Sequence, residues 1–228
     1  MPTSQEVVYW SVVEQAKAIK EGEFTSRELL ELTIQQIESV NPKLNAVVTM
    51  DLDLARKLAD EADAKLKTGE VVGPLHGIPI TVKDALETAG IRSTGGATEL
   101  HNYVPERDAP VVKAVKDAGA IVLGKTNLPR WSGDIQAYND MFGTTVNPWN
   151  SDRVPGGSSG GAAAAVSAGL SSFEIGTDIG GSIRFPASFC GIYGHKPSFG
   201  IVPSTGYIDH EACLLYTSDA ADERSSVD

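Results

Sequence analysis

The stretch GAIVLGKT, residues 119–126, admits two readings that lead to different folds. Letter for letter it satisfies the phosphate-loop pattern Gly-x4-Gly-Lys-Ser/Thr. Such a loop works by curling backbone N–H groups around phosphate. The four middle residues here are Ala120, Ile121, Val122 and Leu123, and a run of this kind favours an extended, buried strand. Pro129 then interrupts the helix that a phosphate loop needs behind it. The stretch therefore reads as a core strand ending in Lys125 and Thr126, and a bound nucleotide is not expected.

The neighbouring sequence supports a layered fold. GIPITVKD (77–84) is a second short, apolar, β-branched run that reads as a buried strand. Between the two, Asp108 and Pro110 open a helix reaching Ala118, with Val111, Val115 and Ala118 facing inward. Beyond them, GGAAAAVSAG (160–169) is a small-residue helix suited to close packing on a sheet, and SFEIG (172–176) is a further strand. Toward the N-terminus the pattern is helical. VYWSVVEQAKAIK (8–20) has helical spacing and stops at Gly22. Thr25 and Glu28 form a capping box ahead of the stripe Leu30, Ile34, Ile37 and Val40, which Asn41-Pro42 ends. NAVVTM (45–50) is a short strand, and Asp51 caps a helix with Leu54, Leu58, Ala62 and Leu66 on one face and Gly69 just beyond it. Strands alternating with helices predict an α/β fold. The long loop 128–156, rich in Asn, Asp, Pro and Trp, is expected to line a site.

Composition narrows the function. The 228 residues carry a formal net charge of -11, which disfavours nucleic acid as a direct partner. No signal peptide and no apolar run of membrane-spanning length is read, so a cytoplasmic protein is expected. Cys190 and Cys213 are too few for a disulfide framework and lack metal-ligand spacing.

Three polar features compete for the chemistry. GGSSG (156–160) fits the nucleophile-elbow pattern around Ser158, but Pro155 argues for a loop where an elbow needs a strand. None of His76, His101, His195 or His210 stands in a recognisable catalytic context. GTDIGGSIRFP (176–186) frames Ser182 with two glycines, an arginine and a proline. Lys83 ends the strand in TVKD. A lysine kept neutral by burial can replace histidine as the base for a serine. Each feature also has a structural reading: Lys83 as a surface partner of Asp84, Ser182 as a helix N-cap, and the glycine-serine run as a capped turn.

Taken together, the segments GIPITVKD, VLGKTNLP, FGTTVNPWN, RVPGGSSGGAAAAVSAGL and GTDIGGSIRFPASFCGIYGHKPS strongly resemble the amidase signature family, over nearly all residues to about 209. The resemblance implies a mixed sheet core flanked by helices. It implies amide hydrolysis through an acyl-enzyme, with Lys83 as base, Ser158 as a relay serine held by a cis peptide bond, and Ser182 as nucleophile. It also implies an oxyanion hole of backbone N–H groups from Ile179, Gly180 and Gly181, with Ser182 as an optional fourth. Asp178 and Arg184 are expected to brace this loop. The implied partner is a small-molecule amide, with no cofactor, no metal and no nucleic acid.

Some positions depart from common family usage: Ala162 for a serine, His195 for a leucine, and Ser198 for a threonine. Phe185 follows the arginine, where the A subunit of glutamyl-tRNA(Gln) amidotransferase usually has glutamine. Phe185 favours a stand-alone amidase with an apolar or aryl acyl group. An A-subunit-like component releasing ammonia from glutamine is the alternative. Back-translated, CLLYTSDAADE (213–223) resembles a transposase adapter used in sequencing libraries. Residues 213–228 then read as a non-native tail, and 1–212 as the N-terminal part of a single, longer amidase domain. On that reading the fragment is expected to leave strand edges open, to be poorly soluble and to lack turnover.

Overall fold

The computed structural model describes residues 6–208. The proposed tail, Cys213 and His210 lie outside the described residues.

Two helices and a strand open the chain. A 3-10 turn at Val7–Tyr9 precedes α1 (Val12–Glu21), so the predicted helix starts later than its apolar pattern. Ser11 and Glu14 form a capping box that fixes this start. Gly22 closes α1 in the left-handed conformation, and the predicted Thr25–Glu28 capping box opens α2 (Ser26–Leu44). Helix α2 does not end at Asn41-Pro42. Pro42 lies in its last turn, the Asn45 N–H donates to the Asn41 carbonyl, and Asn45 ends the helix with φ 55°. The Asn41 side chain also accepts from the Ala46 and Val47 N–H groups, each at 2.9 Å, and so steers the chain into β1 (Val47–Met50). The missing N–H of proline is tolerated because local side-chain bonds replace the ladder.

Asp51 caps α3 (Leu52–Lys67) by accepting from the Leu54 N–H. Its fully buried residues are Ala55, Ala59 and Ala62, whereas Leu58 and Leu66 are only partly buried. The alanine face wins because α3 packs closely on α2 and β3, where small side chains let backbones approach. Likewise, in α4 (Pro110–Asp117) the fully buried residue is Val112, with Val111 and Val115 at its margin.

The central sheet has the order β1-β3-β2-β6, from β1, β3 (Ile121–Thr126), β2 (Pro79–Lys83) and β6 (Glu174–Ile175). Strand β3 pairs antiparallel with β1 and parallel with β2, and β2 pairs parallel with β6. This is the mixed α/β sheet that was expected. Within GAIVLGKT, Ile121–Thr126 form the inner strand β3, every residue of which is buried. Strand β6 is shorter than SFEIG suggested. A small hairpin, β4 (Tyr138–Asn139) with β5 (Gly143–Thr144), lies within the long loop.

One apolar cluster joins Leu30, Ile34, Ile37, Ile121, Leu123 and the alanines of α5 (Gly160–Ser167). A second joins Ile19, Leu29, Ile78, Ile80, Val82, Val112 and Val122. The two lie on opposite sides of the β2–β3 pair, because alternate strand residues point to opposite faces. A short helix α6 (Arg184–Cys190) follows β6 and packs on α5.

Candidate active site

Strand alternation sends Lys83 and Asp84 apart. Both are fully buried, and they take separate partners. The Asp84 carboxylate accepts from the Thr94 N–H at 3.1 Å and from the Thr94 hydroxyl. Burial pushes Asp84 up to about 6, against the pull of Lys125 and Thr94. Lys83 instead donates from Nζ to Ser158 Oγ and to Thr177 Oγ1, each at 2.6 Å. The surface Lys83–Asp84 pair is therefore not what forms.

Ser158 is buried, and its peptide bond to Gly157 is cis. The loop around it is held from several sides. A Cβ on Gly157 would come within 2.6 Å of the Gln136 nitrogen, so the 128–156 loop lies directly against it. The next serine, Ser159, accepts from the Thr177 N–H at 3.2 Å and donates to the Thr177 carbonyl at 3.1 Å. Its own N–H donates to the Ser182 carbonyl at 3.0 Å. These bonds tie Lys83, the Ser158–Ser159 pair and the loop carrying Ser182 into one cluster. Ser182 is half-buried and precedes α6, whose N-cap is Ile183, so the N-cap reading of Ser182 does not hold.

The loop before Ser182 is built on Asp178. Its carboxylate accepts from the N–H groups of Gly181, Ile183 and Arg184 at 2.8, 3.1 and 3.2 Å, and from the Arg184 guanidinium twice at 3.0 Å. Burial opposes the charge, but Arg184 and the three backbone donors outweigh it and hold Asp178 down at about 2. One expectation is corrected here: the Gly181 N–H is already committed to Asp178. Among the described residues nothing accepts from the N–H groups of Ile179, Gly180 or Ser182. Gly181 is required for another reason, since its φ is 124° and its Cα faces the Phe185 ring. At Gly180 an added Cβ would meet nothing within 4 Å.

Two participants were not legible as such. Thr177 was quoted only as part of a motif, yet it is the second acceptor for Lys83. Lys125 is a second fully buried lysine, on the opposite face of the sheet. It donates to the Leu86 carbonyl, to Thr88 Oγ1 at 2.9 Å and to Ser93 Oγ at 3.0 Å. Burial lowers it to about 8. His76 is structural, with Nδ1 accepting from the Val72 N–H and Nε2 facing the Ala62 carbonyl. Cys190 is buried, which pushes its thiol up to about 12. Among the described residues no helix is long and apolar enough to cross a membrane.

The described residues thus bring together a buried lysine bonded to Ser158, the cis Gly157–Ser158 peptide and the glycine-framed Ser182 loop, the three features on which the amidase signature resemblance rests. The chain belongs to the amidase family, whose profile it matches over residues 28–218. The A subunit of glutamyl-tRNA(Gln) amidotransferase from Carboxydothermus hydrogenoformans is 46% identical over 209 residues, covering 92% of this chain and 43% of that protein. Native peptide amidase from Stenotrophomonas maltophilia superposes with a TM-score of 0.83 at 38% identity, covering 87% of this chain and 42% of that one. A fatty acid amide hydrolase structure gives 0.87 at 30% identity, covering 92% and 37%. The chain thus spans less than half the length of these relatives.

Proposed function

We propose that this chain carries the nucleophilic centre of an amidase, with Ser182 as nucleophile, Ser158 as relay and Lys83 as base. The observation that carries this is the 2.6 Å hydrogen bond from the buried Lys83 amine to Ser158 at the cis peptide bond. Ser182 Oγ attacks the amide carbonyl carbon. Its proton passes to Ser158, which hands its own to Lys83. The negative charge on the carbonyl oxygen is met by the Ile179 and Gly180 N–H groups, with Ser182 as a third donor. Each such donor is typically worth about 3–4 kcal/mol of barrier. The proton returns through Ser158 to the leaving nitrogen as the C–N bond breaks, and water then releases the acid from Ser182. The substrate is a small-molecule amide and the setting cytoplasmic.

The experiment is hydrolysis of a simple aryl amide by the full-length protein. Ser182→Ala is expected to remove turnover, and Lys83→Ala to lower it by on the order of 10³-fold or more. Full turnover in Ser182→Ala would refute the assignment.

A second reading has its own observation, the 46% identity to an amidotransferase A subunit. It makes glutamine the amide and ammonia the product passed to a partner. Phe185, half exposed at the start of α6, favours the first reading. Glutaminase activity that appears only with a co-purifying partner would favour the second.

A further inference from the structure

Glu174 is an acid whose carboxyl is buried beside the relay, and the scheme above gives it no task. It sits on β6 as the register partner of Thr81 on β2. Its Oε1 accepts from the Thr126 hydroxyl of β3. Strand β2 lies between β3 and β6, so this bond draws the carboxyl across β2. Thr81 and Lys83, two residues apart, share that face of β2, and Thr126 is the register partner of Lys83. The Glu174 carboxyl is therefore laid over the strand beside Lys83. Its Oε2 is buried and has no hydrogen-bond partner among the described residues. Burying a half-satisfied carboxyl costs stability, and the reaction supplies a reason for it.

We propose that Glu174 is a positioning residue for Lys83, whose carboxylate stabilises the ammonium formed when Lys83 takes the relayed proton. This inference rests on the relay proposed above. The proton leaves Ser182, Ser158 passes its own to Lys83 Nζ, and Glu174 gains none. It acts as the carboxylate does behind histidine in a Ser-His-Asp triad. The consequence is a stronger base that is unprotonated only at higher pH. Burial raises Glu174 to about 8, against the Thr126 hydroxyl and the charges of Lys83 and Lys125.

The groups facing Glu174 can be named element by element. Lys83 faces it from β2. Lys125 acts on it from β3 through the sheet. Tyr193 and His195 line the same cavity, of about 260 Å³. Helix α5, GGAAAAVS, contributes no titratable side chain. Lys125 is held by Leu86, Thr88 and Ser93, so Lys83 is the cation whose charge changes in the reaction.

The test is a pH titration of the whole chain with lysines labelled at Cε by carbon-13, the Lys83 signal being assigned by its loss in Lys83→Ala. Glu174→Gln is expected to lower the Lys83 midpoint by about one pH unit, a tenfold loss of proton affinity. The acid limb of amide hydrolysis should move down with it. An unchanged midpoint in folded Glu174→Gln overturns the inference. If that variant does not fold, Thr126→Val replaces it. It removes the donor that stabilises the carboxylate, so the Lys83 midpoint should again fall, and an unchanged midpoint again overturns the inference. The titration needs no turnover. A shifted midpoint together with full turnover in Ser182→Ala of the full-length protein would support the pairing and overturn the relay.

Discussion

At Asp178 one carboxylate accepts from three backbone N–H groups and an arginine, and a seven-residue segment, 178–184, takes its shape from it. It claims the Gly181 N–H, while among the described residues nothing accepts from the Ile179 and Gly180 N–H groups. Asp178→Asn removes the charge and one good acceptor. Hydrogen bonds to a charged group contribute about 1.5–3 kcal/mol, so the variant should unfold at a lower temperature and turn over more slowly. The pH dependence has a definite sign. The folded carboxyl is depressed from 3.8 to about 2, so its contribution is complete above pH 4 and fades as pH falls toward 2. Melting curves between pH 5 and 2 should show wild type and Asp178→Asn converging. A constant gap would refute the account. The motif named Asp178 as a brace, but it did not show that Gly181 is the residue braced. That depends on where one N–H points within a turn, which composition does not encode.

Elements differ in how much of their position is written locally. The N-terminus of α2 is fully local: Thr25 and Glu28 satisfy each other's orphan backbone groups within one turn. Thr25→Ala should therefore cost about 1 kcal/mol, read as a shift in the urea midpoint, with the site undisturbed. Helix α5 is the opposite case. Its sequence is nearly all small residues, and its place is set by contact, since a Cβ on Gly161 would overlap the Asn127 backbone. Gly161→Ala should destabilise by about 1–3 kcal/mol despite alanine's better helix propensity. A neutral or stabilising result would show that α5 is not seated as tightly as described. The inward faces of α3 and α4 were misjudged for a related reason. Spacing placed Leu54, Leu58, Ala62 and Leu66 of α3 and Val111 and Val115 of α4 inward; Ala62 is buried as expected, whereas packing against the neighbouring elements adds Ala55, Ala59 and Val112 and leaves the leucines at the margin.

Among the described residues, several large apolar side chains near the C-terminal end and in the long loop stand open: Trp149, Phe189, Tyr193 at 105%, Phe199 at 84% and Ile201. Exposed apolar surface on this scale drives association. Sedimentation velocity should show self-association that rises with concentration, and Phe199→Ser with Ile201→Ser should reduce it. A monomer unchanged by those substitutions would contradict this. Local chemistry was enough to establish the α/β class, the strand identity of GAIVLGKT and the caps, because strand propensity and capping act over a few residues, whereas Lys83, Ser158 and Ser182 were singled out by the resemblance of their motifs. It was not enough to pair Lys83 with Thr177 (94 residues away), to bury Lys125, or to lay Glu174 across β2 beside the base. Those relations depend on strand order and register, which are fixed only when distant segments close together on one core.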